Sequence, residues 1–278
     1  MSSSPIVTPD WLNHHLEDSD LTVVDCRFEL GDPEAGRKAY QNDHIPGAVY
    51  MDLEKDLSGK TRKHGGRHPL PDMNRFVEKI GRFGIGEGVR VIAYDDQGGA
   101  MAARLWWMLD YLGHEEVHVL DGGYQGWKEK GYPVTAEEPE PTATTFTPQI
   151  RRRSQLADME DVKYHRGTLI DSRDPDRFSG KTEPIDPKAG HIPGAINYFW
   201  KNNLADGQRW KSAEALKQDF AFLSDEEGPI IYCGSGVTAC ANLLALRLAG
   251  VSKARLYAGS WSDWITYEEN PVRTGDGI

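Results

Sequence analysis

Of the three cysteines in the chain, Cys233 stands where a thiol can react. It follows the apolar run Ile230-Ile231-Tyr232 and opens the turn Cys233-Gly234-Ser235-Gly236-Val237-Thr238, after which Ala239-Cys240 enters a helical pattern. A strand, a cysteine, a glycine-punctuated turn and a helix in that order bring backbone N–H groups toward one sulfur. The unpaired amides of a helix's first turn and the helix dipole both favour the thiolate, which is the nucleophilic form. A cysteine that only packs needs no glycines beside it. A backbone that must wrap around a sulfur does, because Gly234 and Gly236 bring no Cβ into the turn. The expectation is a nucleophile at Cys233 held by the amides of residues 234–238, with the Ser235 hydroxyl close by.

The chain is also written twice. His44-Ile45-Pro46-Gly47-Ala48-Val49 recurs as His191-Ile192-Pro193-Gly194-Ala195-Ile196, and each copy is preceded by a strand-like run ending in an acid, then an arginine: Val24-Asp25-Cys26-Arg27 and Ile170-Asp171-Ser172-Arg173. The run Val91-Ile92-Ala93-Tyr94-Asp95 matches the approach to Cys233, and Asp121-Gly122-Gly123-Tyr124 matches Ala258-Gly259-Ser260-Trp261. Four motifs in one order mark a duplicated domain rather than a short repeat. At the position of Cys233 the first copy carries Asp95, so it has the turn without the nucleophile.

Composition narrows the function. The 278 residues allow two domains of about 130 residues, each able to bury a core. A formal charge of −11 argues against a nucleic-acid phosphate backbone as the partner, and no apolar run approaches a membrane span. Met1-Ser2-Ser3-Ser4-Pro5 lacks the basic and apolar regions of a secretory signal. Three widely spaced cysteines make no disulfide framework, and a free thiol suits a reducing cytoplasm, the expected location.

Short Val/Ile/Leu runs alternate with helical patterns in both halves. Strands are expected at 21–25, 47–51, 89–94 and 117–121, and again at 168–171, 195–198, 229–232 and 254–257, with helices at 74–83, 100–112, 213–223 and 239–249. This alternation predicts an α/β fold: two tandem domains, each a mostly parallel sheet flanked by helices on both faces, with reactive groups at the carboxyl ends of the strands. The Pro/Thr-rich stretch 136–153 reads as an extended linker between a first domain, 1–135, and a second, 154–278.

A duplicated α/β chain with His-Ile-Pro-Gly-Ala in both halves and one cysteine loop in the second resembles the two-domain rhodanese sulfurtransferases. The loop Cys233-Gly234-Ser235-Gly236-Val237-Thr238 is similar to that of the 3-mercaptopyruvate branch; thiosulfate-preferring members typically carry basic residues where this chain has Gly234 and Ser235. The resemblance implies a Cys233 persulfide that takes sulfur from a small-molecule donor. It implies a thiol or cyanide acceptor, with thioredoxin-type proteins among the partners, and neither a metal nor an organic cofactor. A donor carboxylate then needs cations outside the loop. Arg173 and Arg177 match arginines that the family uses for substrate binding, and a guanidinium fork suits a carboxylate. The resemblance also pairs Ser235 with a histidine, here matched to His44, and with an acid for which Asp32 and Glu34 both stand near. Because His191 occupies the same motif in the other half, His44 has a structural reading as well. Arg67, in the basic segment Arg62-Lys63-His64-Gly65-Gly66-Arg67-His68, is a candidate for steering an anionic donor.

Other chemistries fit less well. A cysteine phosphatase needs an arginine six positions after its nucleophile, and that position is Ala239. Zinc binding fails on ligand number and spacing, and a cysteine hydrolase lacks an adjacent base. A non-catalytic binding module of the same fold is the reading from a different class, and the retained Cys233 loop argues against it. Cys240 and Cys26 read as packing residues, Trp106, Trp107, Trp127 and Trp264 as core, and Asp25 and Asp171 as anchors of nearby amides. Trp261 is a candidate for a wall of the site.

Overall fold

The structure, a computed structural model, describes residues 4–150, 155–205, 208–223 and 228–276. The last residues of the expected linker, 151–153, and the start of the second domain at 154 lie outside the described residues. In the first half the elements are β1 (Ile6–Val7), α1 (Pro9–His15), β2 (Leu21–Asp25), α2 (Ala35–Asn42), β3 (Val49–Tyr50), α3 (Met73–Arg82), β4 (Arg90–Tyr94), α4 (Ala100–Tyr111), β5 (Val117–Leu120) and α5 (Gly123–Glu129). The second half repeats them as β6 (Leu156–Ala157), α6 (Met159–Tyr164), β7 (Leu169–Asp171), α7 (Pro175–Ser179), β8 (Ala195–Asn197), α8 (Ala213–Asp219), β9 (Ile230–Tyr232), α9 (Ala239–Leu248), β10 (Arg255–Tyr257) and α10 (Ser260–Trp264). The two sheets have the same order, β1-β5-β4-β2-β3 and β6-β10-β9-β7-β8, and their strand pairs are parallel.

The expected strands and long helices are present; most stop a residue or more inside the expected bounds, while β2 matches them and α3 begins one residue earlier. The edge strands β1 and β6, two residues each, carry too little sequence to show a period. Several short helices are set by their caps rather than by an apolar face. Thr8 and Asp174 each cap a helix that has proline in its first turn, and Asp158 and Asp161 form a reciprocal capping box.

Compactness does not follow chain order. One unit comprises Met1–Gly59, Leu70–Arg152 and Leu204–Trp210; the other comprises Lys60–Pro69, Arg153–Asn203 and Lys211–Ile278. The basic segment 60–69, expected in the first domain, therefore packs within the second unit. Residues 136–150 form no helix or strand. They lie along the first unit, where Thr144 N–H donates to Gly81 O at 2.8 Å, Gln149 N–H to Leu112 O at 2.8 Å, and the Phe146 side chain is buried.

Each core is stitched by the same set of side chains. The Tyr94 hydroxyl accepts from Ile45 N–H and donates to Asp25, and the Tyr232 hydroxyl accepts from Ile192 N–H. The Trp127 and Trp264 indoles donate to Pro133 O and Pro271 O. His44 and His191 hold equivalent places: Nδ1 of His44 meets Tyr40 O at 2.7 Å and that of His191 meets Phe178 O at 2.8 Å, each ring stacked on the same residue. Their backbones pair with Thr135 and Arg273. No helix among the described residues is long and apolar enough to cross a membrane, and no group of three His, Cys, Asp or Glu among them is placed to hold a metal ion.

This arrangement has a pH consequence. His191 is buried, and with Nδ1 donating to Phe178 O its Nε2 has no hydrogen-bond partner. Burial lowers its pKa, because a second proton would sit on a nitrogen without an acceptor. An unfolded chain binds that proton more readily, so the stability contributed by neutral His191 is complete above the ordinary histidine value, about 6.5, and is lost as pH falls below it. Thermal unfolding of the wild type and of His191→Gln between pH 7.5 and 5.5 checks this: the wild type loses Tm more steeply on acidification. Parallel slopes would contradict it.

Candidate active site

Strand β9 delivers Cys233 to the carboxyl end of the sheet, and the chain turns through residues 234–238 into α9. The thiol is buried, with 2% of the residue exposed, and its Sγ accepts the Gly236 N–H at 3.1 Å. Gly236 has φ +79°, and a Cβ there would lie 2.2 Å from Ala258 O, so the turn requires glycine on both counts. Among the described residues, the N–H groups of Ser235, Val237 and Thr238 donate no hydrogen bond, and Thr238, the N-cap of α9, makes no side-chain cap. The second half thus has an anion cradle around one sulfur.

The first half shows what such a cradle holds. Asp95, buried at the end of β4, accepts four backbone N–H groups: Gln97 and Gly99 on Oδ1 at 2.8 Å each, and Met101 and Ala102 on Oδ2 at 2.7 and 2.9 Å. Its carboxylate serves as the N-cap that Gly99 has no side chain to provide. Burial pushes the Asp95 pKa up, and the four amides oppose that rise.

A second difference between the copies lies under the cysteine. Gly123 in the first half has φ +54°; its counterpart Ser260 has φ +56° and is the one non-glycine residue with positive φ among those described. The Ser260 Oγ accepts the Cys233 N–H at 3.1 Å and donates to Tyr257 O at 2.9 Å. A left-handed serine costs on the order of 1 kcal/mol, and here the strain places a hydroxyl on the backbone of Cys233. The carbonyls of Cys233 and Gly234 accept from Trp261 and Ser262 N–H at 3.0 and 2.9 Å, which fixes the start of the loop from the other side.

Cations reach the loop from outside it. A Cβ on Gly234 would lie 3.1 Å from an Arg67 nitrogen and 3.5 Å from both terminal nitrogens of Arg177, so these guanidiniums stand over the residue after the cysteine. Arg177 is held by Glu183 at 2.8 Å and Asp186 at 3.0 Å, and Arg67 is ion-paired to the same Asp186. Burial would raise the Glu183 pKa, but Arg177 and the Asp186 and Ile185 amides outweigh it and hold the carboxyl below its ordinary value. The segment carrying Arg67 is tied down by Gly65 N–H to Asp263 at 2.7 Å, Arg67 N–H to Ser262 Oγ at 3.0 Å, and His64 stacked on Tyr267. The same segment sets His68 Nδ1 2.7 Å from Ser235 Oγ.

Two expected site residues, His44 and Arg173, are engaged by partners that recur in both halves. His44 is buried in the first unit with both ring nitrogens against carbonyls, Nδ1 at Tyr40 O and Nε2 at Glu137 O, 3.1 Å away. It repeats the place of His191, and the histidine beside Ser235 is His68. Arg173 is buried and engaged by Asp171 at 2.7 Å, Glu183 at 3.2 Å and Gly190 O at 2.6 Å, with its guanidinium over Trp261. Burial would lower its pKa, and the Asp171 and Glu183 charges instead raise it. Arg27 does the same in the first half with Asp25, Asp43 O and Tyr124, so the geometry gives Arg173 a framework place. Trp261 is buried with the Arg173 guanidinium over its ring, and its backbone N–H meets Cys233 O. The Cys26 thiol is pushed well up by burial, with Asp25 and Asp95 adding to the effect, and Cys240 Sγ faces Gly236 O at 3.4 Å.

His68, Ser260, Glu183 and Asp186 were not singled out from the sequence. For Ser260 a signal existed: a serine where the first copy has Gly123 in a matching motif.

Substitution of Asp95 tests the cradle in the half that lacks the cysteine. Asp95→Ala strands four converging N–H groups and costs about 3 kcal/mol or more of unfolding free energy, since each buried donor left unmade costs on the order of 1–3 kcal/mol. Urea unfolding measures it, and a loss below about 1 kcal/mol would contradict the assignment.

Comparison with known proteins agrees with this architecture. The family model described as rhodanese-like domain matches twice, over residues 8–130 and 153–267. A probable 3-mercaptopyruvate sulfurtransferase of Pseudomonas aeruginosa is 45% identical over 99% of this chain and 100% of its own. A putative thiosulfate sulfurtransferase of Mycobacterium tuberculosis is 37% identical over 92% and 91%. The crystal structure of SseA from Escherichia coli, reported as a 3-mercaptopyruvate sulfotransferase with the rhodanese fold, superposes with a TM-score of 0.81 at 30% identity, covering 94% of this chain and 100% of that one. With its motifs, its paired sheets and both halves matched, the chain belongs to the rhodanese-like domain family and carries two copies of that domain.

Proposed function

We propose that the chain is a sulfurtransferase that takes sulfur from 3-mercaptopyruvate and passes it to a thiol or cyanide through a persulfide on Cys233. The observation that carries this reading is the cradle around Cys233 Sγ, read beside its filled counterpart. In Asp95 the atom that receives the amides lies one bond beyond the atom attached to Cβ. In a cysteine persulfide the outer sulfur lies at the same remove, so the amides of residues 235–238 are disposed to bind it as an anion.

The Cys233 thiolate attacks the donor sulfur. The carbon–sulfur bond breaks, and its electron pair leaves as the enolate of pyruvate, which takes a proton at carbon. The Ser235 hydroxyl with His68 at 2.7 Å is the group placed to supply that proton. In the second step an acceptor thiolate attacks the outer sulfur, the S–S bond breaks and Cys233 returns as thiolate. Arg177 and Arg67 over Gly234 are disposed to receive the donor carboxylate, while Arg173 supports Arg177 through the shared Glu183. Acceptor choice, including thioredoxin-type proteins, rests on family likeness and on the access an outer sulfur would need.

Thiosulfate is the second donor to consider, because the same arginines could meet its sulfonate oxygens and a relative carries that name. Steady-state turnover of each donor, with Cys233→Ser as the blank, decides between them. The expected result is pyruvate release from mercaptopyruvate at a kcat/KM at least about tenfold above that for thiosulfate, a difference of about 1.4 kcal/mol. Faster thiosulfate turnover would reverse the donor assignment, and no Cys233-dependent turnover of either would leave a non-catalytic module.

The two histidines separate cleanly. His68→Asn lowers kcat for mercaptopyruvate by about a hundredfold, within the usual range for a proton-transfer group, and alters its pH profile with Tm little changed. His44→Asn lowers Tm and leaves the kcat of the folded fraction intact. The opposite pattern would restore His44 to the site.

A further inference from the structure

We infer that Asp186 sets the donor charge this site accepts: it neutralises the arginine pair over Gly234, so that a monoanionic donor is favoured over a dianionic one. The inference rests on the sulfurtransferase reading above. Asp186 is buried and touches both guanidiniums, Arg67 on Oδ1 and Arg177 on Oδ2 at 3.0 Å. Behind them Arg173 is balanced by Asp171 and Glu183, with Glu183 shared between Arg173 and Arg177. Three guanidiniums thus face three carboxylates, and the cluster beside the nucleophile has no net formal charge despite its arginines.

Two consequences follow. The acids engage Nε and Nη2 of Arg177 and Nη1 of Arg67, which leaves Nη1 of Arg177 and Nη2 of Arg67, both beside Gly234, as donors for a carboxylate. The long-range attraction is cancelled, however, and that attraction scales with donor charge. A dianion forgoes twice what a monoanion forgoes. Gly234 completes the device: any side chain there would meet the guanidiniums, so the loop itself adds no positive charge. Asp186 discriminates by subtracting charge, while its hydrogen bonds hold both arginines in place.

Asp186→Asn keeps the shape and part of the hydrogen bonding while removing one negative charge. The ratio of kcat/KM for thiosulfate to that for mercaptopyruvate rises about tenfold, and the dependence of thiosulfate kcat/KM on ionic strength steepens. Asp186→Glu restores the wild-type ratio. A merely structural Asp186 would lower both donors together, with the ratio and the salt dependence unchanged, and that result overturns the inference. Wild-type enzyme and Cys233→Ser are assayed alongside: if the wild type turns over neither donor, the sulfurtransferase reading has failed. If the wild type is active and the Asp186→Asn ratio does not move, only the role of Asp186 has failed.

Discussion

The structure depends on one constraint: backbone N–H groups that converge at the start of a buried helix need an acceptor. A parallel strand feeding a helix through a tight turn leaves several amides aimed at the residue that ends the strand. The two halves satisfy this in different ways. Asp95 answers with its own carboxylate and four hydrogen bonds, closing the first loop permanently. Cys233 answers with a sulfur that takes the Gly236 N–H and leaves neighbouring amides for a ligand. The same turn is thereby a sealed structural joint in one copy and an open cradle around a sulfur in the other.

Around that difference the copies share a frame. The Asp25–Arg27 and Asp171–Arg173 pairs, the tyrosines that clasp Ile45 and Ile192, and the histidines stacked on Tyr40 and Phe178 recur in equivalent places. What is not repeated surrounds Cys233. Ser260 takes the left-handed position held by Gly123, and the segment 60–69 packs within the second unit to bring Arg67 and His68 to the loop.

Much of this was legible in the sequence, because the signals were local. The glycines around Cys233, the duplicated motifs and the apolar runs of the inner strands each lie within a few residues. The exceptions have physical causes. His68 meets Ser235 from 167 positions away, and nothing in either segment encodes that contact. Arg173, expected to bind substrate, has Arg27 in the equivalent place of the half that carries Asp95 instead of a cysteine. A residue that both copies keep belongs first to the frame, as does His44 beside His191. The edge strands β1 and β6 are too short for any period to appear.

The amides around Cys233 are disposed to hold a persulfide. Intact-protein mass spectrometry after brief exposure to 3-mercaptopyruvate, without acceptor, tests it most directly, with peptide mapping to locate the adduct. The expected result is a gain of one sulfur atom on Cys233, its loss on addition of a thiol, and no gain in Cys233→Ser. Sulfur found on Cys240 or Cys26, or pyruvate release with no sulfur retained by the protein, would contradict it.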